Sequence, residues 1–162
     1  MYTRQVQLGT LAGVVHPGVG VAAEAPVWRA GWFAFFPVWQ VGFEHHAGLH
    51  TRWYAGVQPS VRVELAPFAV QLSLGVNALR LWSRWKSYHF EDQTGQWSAG
   101  ERESKWCWLF EADVTAWIAL HPRVRVGIGY GFGVMYPFAP VNDVPALPLT
   151  RLGLYGLWSY GA

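Results

Sequence analysis

Ser87, His89 and Glu91 combine the residue types of a nucleophilic enzyme site in one short segment. Side chains two positions apart share a face of a strand, so the imidazole could activate the hydroxyl while an acid orients it. Such a site would hydrolyse an ester or transfer an acyl group. The spacing is common and no known enzyme motif surrounds it, so the simpler expectation is a strand without catalysis.

Three histidines, His45, His46 and His50, could form a metal site. Imidazole nitrogens bind Zn²⁺ or Cu²⁺. Consecutive residues of a strand point to opposite faces, so a turn would have to bring His45 and His46 together. Histidines at the tip of a loop are more often simply solvated, and we therefore expect neither a metal nor another cofactor.

A larger charged set keeps to one phase of the alternating segments described below. One interpretation is a gate or a proton path. The other is an ion-pair network that fills a narrow interior, where every buried charge needs a partner. We favour the second and expect Glu111 and Asp113 to pair with arginines of the set. Its members are Glu44, Arg52, Arg62, Glu64, Glu111, Asp113, Arg125 and Arg151.

The segments 106–120 and 124–136 indicate which elements hold these charges. Every even position is apolar or aromatic, whereas the odd positions carry glycine, charge and a few large side chains such as Trp117. Alternation of this kind is typical of a strand hairpin. The polar face has too few polar residues to coat a soluble sheet. We therefore predict the inside of a narrow barrel whose apolar outside meets lipid.

The composition agrees with that prediction. Hydrophobic residues make up 52% of the 162 residues and charged residues 14%, against about 25% charged in a typical soluble domain. No apolar run reaches the roughly 20 residues of a spanning helix. The net charge of +2 and the lack of a basic stripe argue against nucleic acid as a partner. The alternative fold is a soluble β-barrel that binds a ligand.

Eight alternating segments are visible, and they form a single domain over residues 1–162. We expect turns at 16–18, 66–67 and 121–122, and long loops at 91–104 and 139–146. An even number of antiparallel strands closes the sheet and pairs every backbone group. Barrels of this kind keep short turns on the periplasmic side, which predicts that both termini are periplasmic. The segments are 2–15, 19–25, 29–45, 49–65, 68–78, 106–120, 124–136 and 151–160.

In pattern, length and aromatic placement the chain resembles small eight-stranded outer-membrane barrels, with the architecture of the OmpA transmembrane domain or OmpX. Trp158 and Tyr160 are similar to the alternating aromatics that end such barrels, whereas Gly156 replaces a usual large apolar residue. The resemblance implies a bacterial outer-membrane protein with a structural or accessory role, alone or within a larger envelope complex. Some barrels of this size are lipid hydrolases or acyltransferases, which makes a lipid-modifying enzyme the second hypothesis.

Beyond Ala78 the pattern predicts a slip in the alternation, because Arg80, Arg84 and Lys86 interleave with apolar residues. We interpret this stretch as a strand that leaves the bilayer. Arginine pairs well with phosphate, so these three bases are expected to contact membrane lipid and lipopolysaccharide. The alternative is an ordinary solvated extension of the strand.

Overall fold

The computed structural model describes the backbone of residues 3–12, 14–45, 50–91, 96–136 and 146–159. Side chains are described for 18–45, 51–82, 104–136, 146 and 148–159. Nothing in these ranges is a helix long and apolar enough to cross a membrane. The strands of the described residues are β1 (Thr3–Ala12), β2 (Val14–Glu24), β3 (Trp28–Ala30), β4 (Phe33–His45), β5 (His50–Leu65), β6 (Phe68–Glu91), β7 (Gln96–His121), β8 (Val124–Tyr136) and β9 (Leu147–Ser159).

Eight of these strands form a closed antiparallel ring. Each strand pairs with the next one along the chain, β2 pairs directly with β4, and β1 pairs with β9. The short β3 lies outside the ring and pairs only with the start of β4. Closure leaves no free sheet edge within the ring, so the backbone groups of a spanning strand are satisfied inside the protein. The fold is the predicted eight-stranded transmembrane barrel.

The barrel has two different ends, which we call the terminal end and the loop end. At the terminal end lie Thr3, Ser159 and the turns at 66–67 and 122–123. The connection from β2 to β4 lies there too, and Gly31 turns the chain in it with a φ of 54°. At the loop end β6 and β7 continue as a two-stranded ribbon, past the last residues paired with β5 and β8.

Two predicted connections are wrong. Residues 16–18 lie inside β2. Gly18 is explained by packing, because a side chain at this position would meet that of Glu44. Most of the predicted loop 91–104 belongs to the ribbon, where His89 pairs with Ser98 and Glu91 with Gln96. A ribbon beyond the barrel meets water on both faces, so polar residues fit it as well as they fit a loop. The predicted loop at 139–146 lies almost wholly outside the described residues.

The predicted alternation holds around the described barrel. Even positions of 106–136 point outward, and Trp108, Ile128 and Phe132 are about half exposed there. The apparent loss of phase after Ala78 is wrong: Leu79 and Leu81 continue the inward phase and are buried. What changes at this height is the inward face of β6, which becomes apolar.

Candidate functional site

The middle of the barrel lumen holds two carboxylates that share one guanidinium. Arg151 Nη2 lies 3.3 Å from Glu111 Oε2 and 3.1 Å from Asp113 Oδ1. The acids are inward neighbours two positions apart on β7, and Arg151 enters from β9. All three side chains are nearly inaccessible to solvent. This is the arginine pairing predicted for Glu111 and Asp113.

Side-chain amides complete the coordination of Glu111. Gln40 donates to its Oε1 at 2.7 Å and Asn77 at 2.6 Å. Gln58 also donates to Oε1 and reaches Asp113 Oδ2 at 3.1 Å. These donors come from β4, β5 and β6, so the carboxylate ties together strands from across the barrel. A buried acid whose hydrogen bonds are satisfied by this many donors makes the interior of the barrel more rigid.

A second ion pair lies nearer the terminal end. Arg62 forms a two-pronged contact with Glu24, at 2.9 Å from Nη1 and 2.7 Å from Nη2. Gln71 accepts a further bond of 2.7 Å from Arg62 Nη2. The Arg62 guanidinium also lies 4.5 Å from the ring centre of Phe36 and 5.6 Å from that of Trp117. Planar stacking and forked pairing are the contacts that favour arginine over lysine.

The remaining predicted charges flank this core. Arg52 pairs with Glu44 towards the loop end, and both are almost fully enclosed. At the terminal end Glu64 lies 3.1 Å from Arg125 and 3.8 Å from the exposed Arg29. The structure thus brings all eight predicted charged residues to the inward face, but in separate pairs and clusters along the axis.

An apolar layer fills the β5 to β8 side of the lumen beyond the Arg151 cluster, at the level where Arg52 pairs with Glu44. Its members come from β5, β6, β7 and β8, and Leu79 and Met135 have no exposed surface. A cavity of about 20 Å³ borders Arg52, Leu109 and the Arg151 cluster, which is room for about one water molecule. The layer consists of Tyr54, Leu79, Leu81, Cys107, Leu109 and Met135.

Inward glycines make room for the largest side chains. A Cβ on Gly20 would lie 2.8 Å from the Tyr54 hydroxyl oxygen. On β8, a Cβ on Gly127 would lie 2.7 Å from Trp117 Cε3, and one on Gly131 would collide with Asp113. The glycine run of β8 therefore makes room for side chains of the neighbouring β7.

Arg80 is held on the outer surface near the loop end. Its Nε donates to Ser104 Oγ at 2.7 Å. Its Cζ lies 5.2 Å from the ring centre of Trp106 and 5.9 Å from that of Trp82. Arg84 and Lys86 continue along β6, but their side chains lie outside the described residues, so their expected lipid contact stays a prediction.

The predicted histidine and serine sites fall largely outside the described part of the chain. His45 Nδ1 lies 3.0 Å from Thr51 Oγ1, whereas His46 and the side chain of His50 are not described. Within the described residues no three His, Cys, Asp or Glu side chains form a metal-binding group. Ser87, His89 and Glu91 lie on the ribbon, and their side-chain contacts stay untested.

Sequence reasoning missed several members of the lumen network. Glu24 lies in the predicted segment 19–25 and has no predicted role, although it shares the even, inward phase of Gly18 and Gly20. Gln40, Gln58 and Asn77 also lie in predicted segments, and no role is predicted for their amides. Alternation could have found them, but only the barrel closure shows which of them meet.

Neither the known protein families nor the curated proteins contain a match to this sequence. Among solved structures, Neisserial surface protein A superposes with a TM-score of 0.66 at 12% identity, over 98% of this chain and 96% of that one. The outer-membrane enzyme PagL gives 0.57 at 8% identity, over 98% and 99%. The N-terminal barrel of Pseudomonas aeruginosa OprF gives 0.57 at 4% identity, over 98% and 97%. The chain therefore has the fold of the small eight-stranded outer-membrane barrels.

Proposed function

We propose that this protein is a non-catalytic outer-membrane barrel with a closed lumen and a structural or accessory role. Both termini are periplasmic, and the ribbon of β6 and β7 extends outside the cell. The protein works alone or as a subunit of a larger envelope complex. Purification in mild detergent, followed by identification of the chains that remain bound, distinguishes these two arrangements.

The filled lumen is the observation that carries this proposal. An eight-stranded barrel is just wide enough for its own side chains. Here the middle of the lumen is occupied by paired charges and amides, and the part beyond it by Leu79, Leu109 and Met135. A lumen that is filled in this way supports a structural role and not the transport of solutes.

Planar-bilayer recording tests the closed lumen. We expect no stable, porin-sized conductance from the purified protein. Leu79→Ala combined with Met135→Ala trims the apolar layer and serves as the positive control, because it removes volume where no side chain is exposed. The control should show more frequent openings. Porin-sized conductance of the unaltered protein would contradict the proposal.

A lipid-modifying enzyme is the second candidate. It is favoured by the fold shared with an outer-membrane enzyme and by Ser87 and His89 on one strand. Mass spectrometry of lipopolysaccharide from cells with and without the protein distinguishes the two functions. A changed acyl pattern that disappears in Ser87→Ala would replace the proposed function with this one.

A further inference from the structure

We propose that Arg80, Ser104, Trp82 and Trp106 form a binding site for the phosphate of a membrane lipid on the outer surface of the barrel. The inference rests on the outer-membrane placement proposed above and assigns a defined ligand contact to it. The side chains converge from β6 and β7, where Arg80 is in register with Trp106 and Trp82 with Ser104.

The height of Arg80 on the barrel places it where lipid phosphates lie. On β6 the outward residues from Phe68 to Ala78 are apolar without interruption. Ten residue steps at about 3.3 Å, on a strand tilted by about 45°, rise roughly 23 Å. An apolar band of such barrels is about 25 Å tall. Arg80 is the next outward residue, so it lies at the level of the headgroups.

The surrounding tryptophans support the same level. Trp82 and Trp106 are substantially exposed on the outer surface, and Trp53 of β5 is in register with Arg80 on its other side. Indole rings are favoured at the interface between lipid and water because each has an apolar body and one polar N–H. The guanidinium therefore lies within an interfacial ring of indoles.

Among the residues whose side chains are described, the Arg80 guanidinium is held through Nε and its planar face, and its terminal nitrogens have no acid partner. Nε is engaged by Ser104 and the planar face is packed by two indoles. In the part of the chain whose side chains are described, no carboxylate lies within ion-pair distance of Arg80. The lumen arginines, in contrast, are paired with acids. A guanidinium that is held in place and has no acid partner among the described residues can bind a phosphate through two parallel N–H bonds.

Two sources could supply this phosphate, the phosphorylated sugars of lipopolysaccharide and the headgroup of an anionic phospholipid. The purified full-length protein in a zwitterionic detergent is titrated with bis-phosphorylated lipopolysaccharide, with its dephosphorylated form and with phosphatidylglycerol, and bound lipid is counted by native mass spectrometry. We compare the unaltered protein with Arg80→Gln, Arg80→Lys and Ser104→Ala. Arg29→Gln is the matched control, because Arg29 is an exposed arginine at the opposite end of the barrel.

A charge-assisted hydrogen bond is worth enough that Arg80→Gln should weaken binding about tenfold or more. Arg80→Lys should bind with intermediate affinity, since it keeps the charge and loses the fork, and Arg29→Gln should bind like the unaltered protein. Loss confined to lipopolysaccharide identifies that source, and loss confined to phosphatidylglycerol identifies the phospholipid. Equal binding of Arg80→Gln and the unaltered protein to both lipids, or equal binding of the dephosphorylated form, overturns the site. Conductance through the lumen would overturn the proposed function and leave this result unaffected.

Discussion

Replacing Arg151 with methionine tests whether the shared ion-pair cluster stabilises the barrel. Arg151 is 8% exposed over the whole residue, and its guanidinium contacts both Glu111 and Asp113. Methionine keeps similar length without charge, so it leaves two carboxylates in an enclosed lumen. Removal of one member of a buried ion pair costs about 3–5 kcal/mol. We expect the free energy of unfolding to fall by at least that amount.

Arg29→Met is the matched control for this substitution. The Arg29 side chain is 58% exposed and lies 3.8 Å from Glu64, and exposed pairs contribute about 0–1 kcal/mol. Urea unfolding in phospholipid vesicles, followed by tryptophan fluorescence, measures both variants. A loss for Arg151→Met no larger than for Arg29→Met would refute the reasoning.

A compensating variant separates lost charge pairing from poor packing. Glu111→Gln and Asp113→Asn, added to Arg151→Met, remove both stranded charges and change little in shape. Because buried pairs are worth little relative to neutral replacements, the triple variant should recover most of the lost stability. Recovery of less than half would mean that the methionine itself packs badly.

Three further predictions concern the outer face, the glycines and the lumen. Val126→Arg and Ile128→Arg should each destabilise the barrel, by about 2–4 kcal/mol if the position is near the bilayer midplane and by less towards its edge, with Ile128→Leu as control; fluorophores at these positions that report water would contradict the assignment. Gly127→Ala should cost about 1–3 kcal/mol because its Cβ meets Trp117. Gly156→Ala meets nothing within 4 Å and should be close to neutral in the same unfolding assay. The Cys107 thiol is 2% exposed and should resist a maleimide until unfolding; folded-state labelling at the unfolded rate would mean an open lumen.

Alternation was enough to predict the barrel, because lipid outside and a packed lumen inside impose opposite requirements on consecutive residues. Val126 and Arg125 illustrate this: one is on the lipid face and the other points to Glu64. Alternation gives no signal in a strand whose two faces meet the same surroundings. In the ribbon, where His89 pairs with Ser98, the two faces do not differ in polarity. The sequence therefore predicts a loop at 91–104 where the structure has a strand.

The partners inside the lumen needed the closed structure. The sequence places Glu111 and four arginines on one face but contains no information on their angular positions around the ring. Arg62 meets Glu24 because β2 pairs with β4, which leaves Glu24 beside Val38 and one strand away from β5. The pairing of β2 with β4 therefore brings Glu24 within reach of Arg62.

The order of side chains along the lumen explains why we expect it to be closed to ions. Ion pairs such as Arg52 with Glu44 could exchange partners and open a narrow path, since each partner remains solvated by another charge. The apolar layer beside this pair offers no such exchange: Leu79, Leu109 and Met135 present hydrocarbon to the axis. An ion crossing this layer would lose its hydration without a replacement, which is costly in an apolar surrounding. We therefore expect the apolar layer to raise the barrier to conduction, and trimming Leu79 and Met135 should lower that barrier and increase the leak of ions.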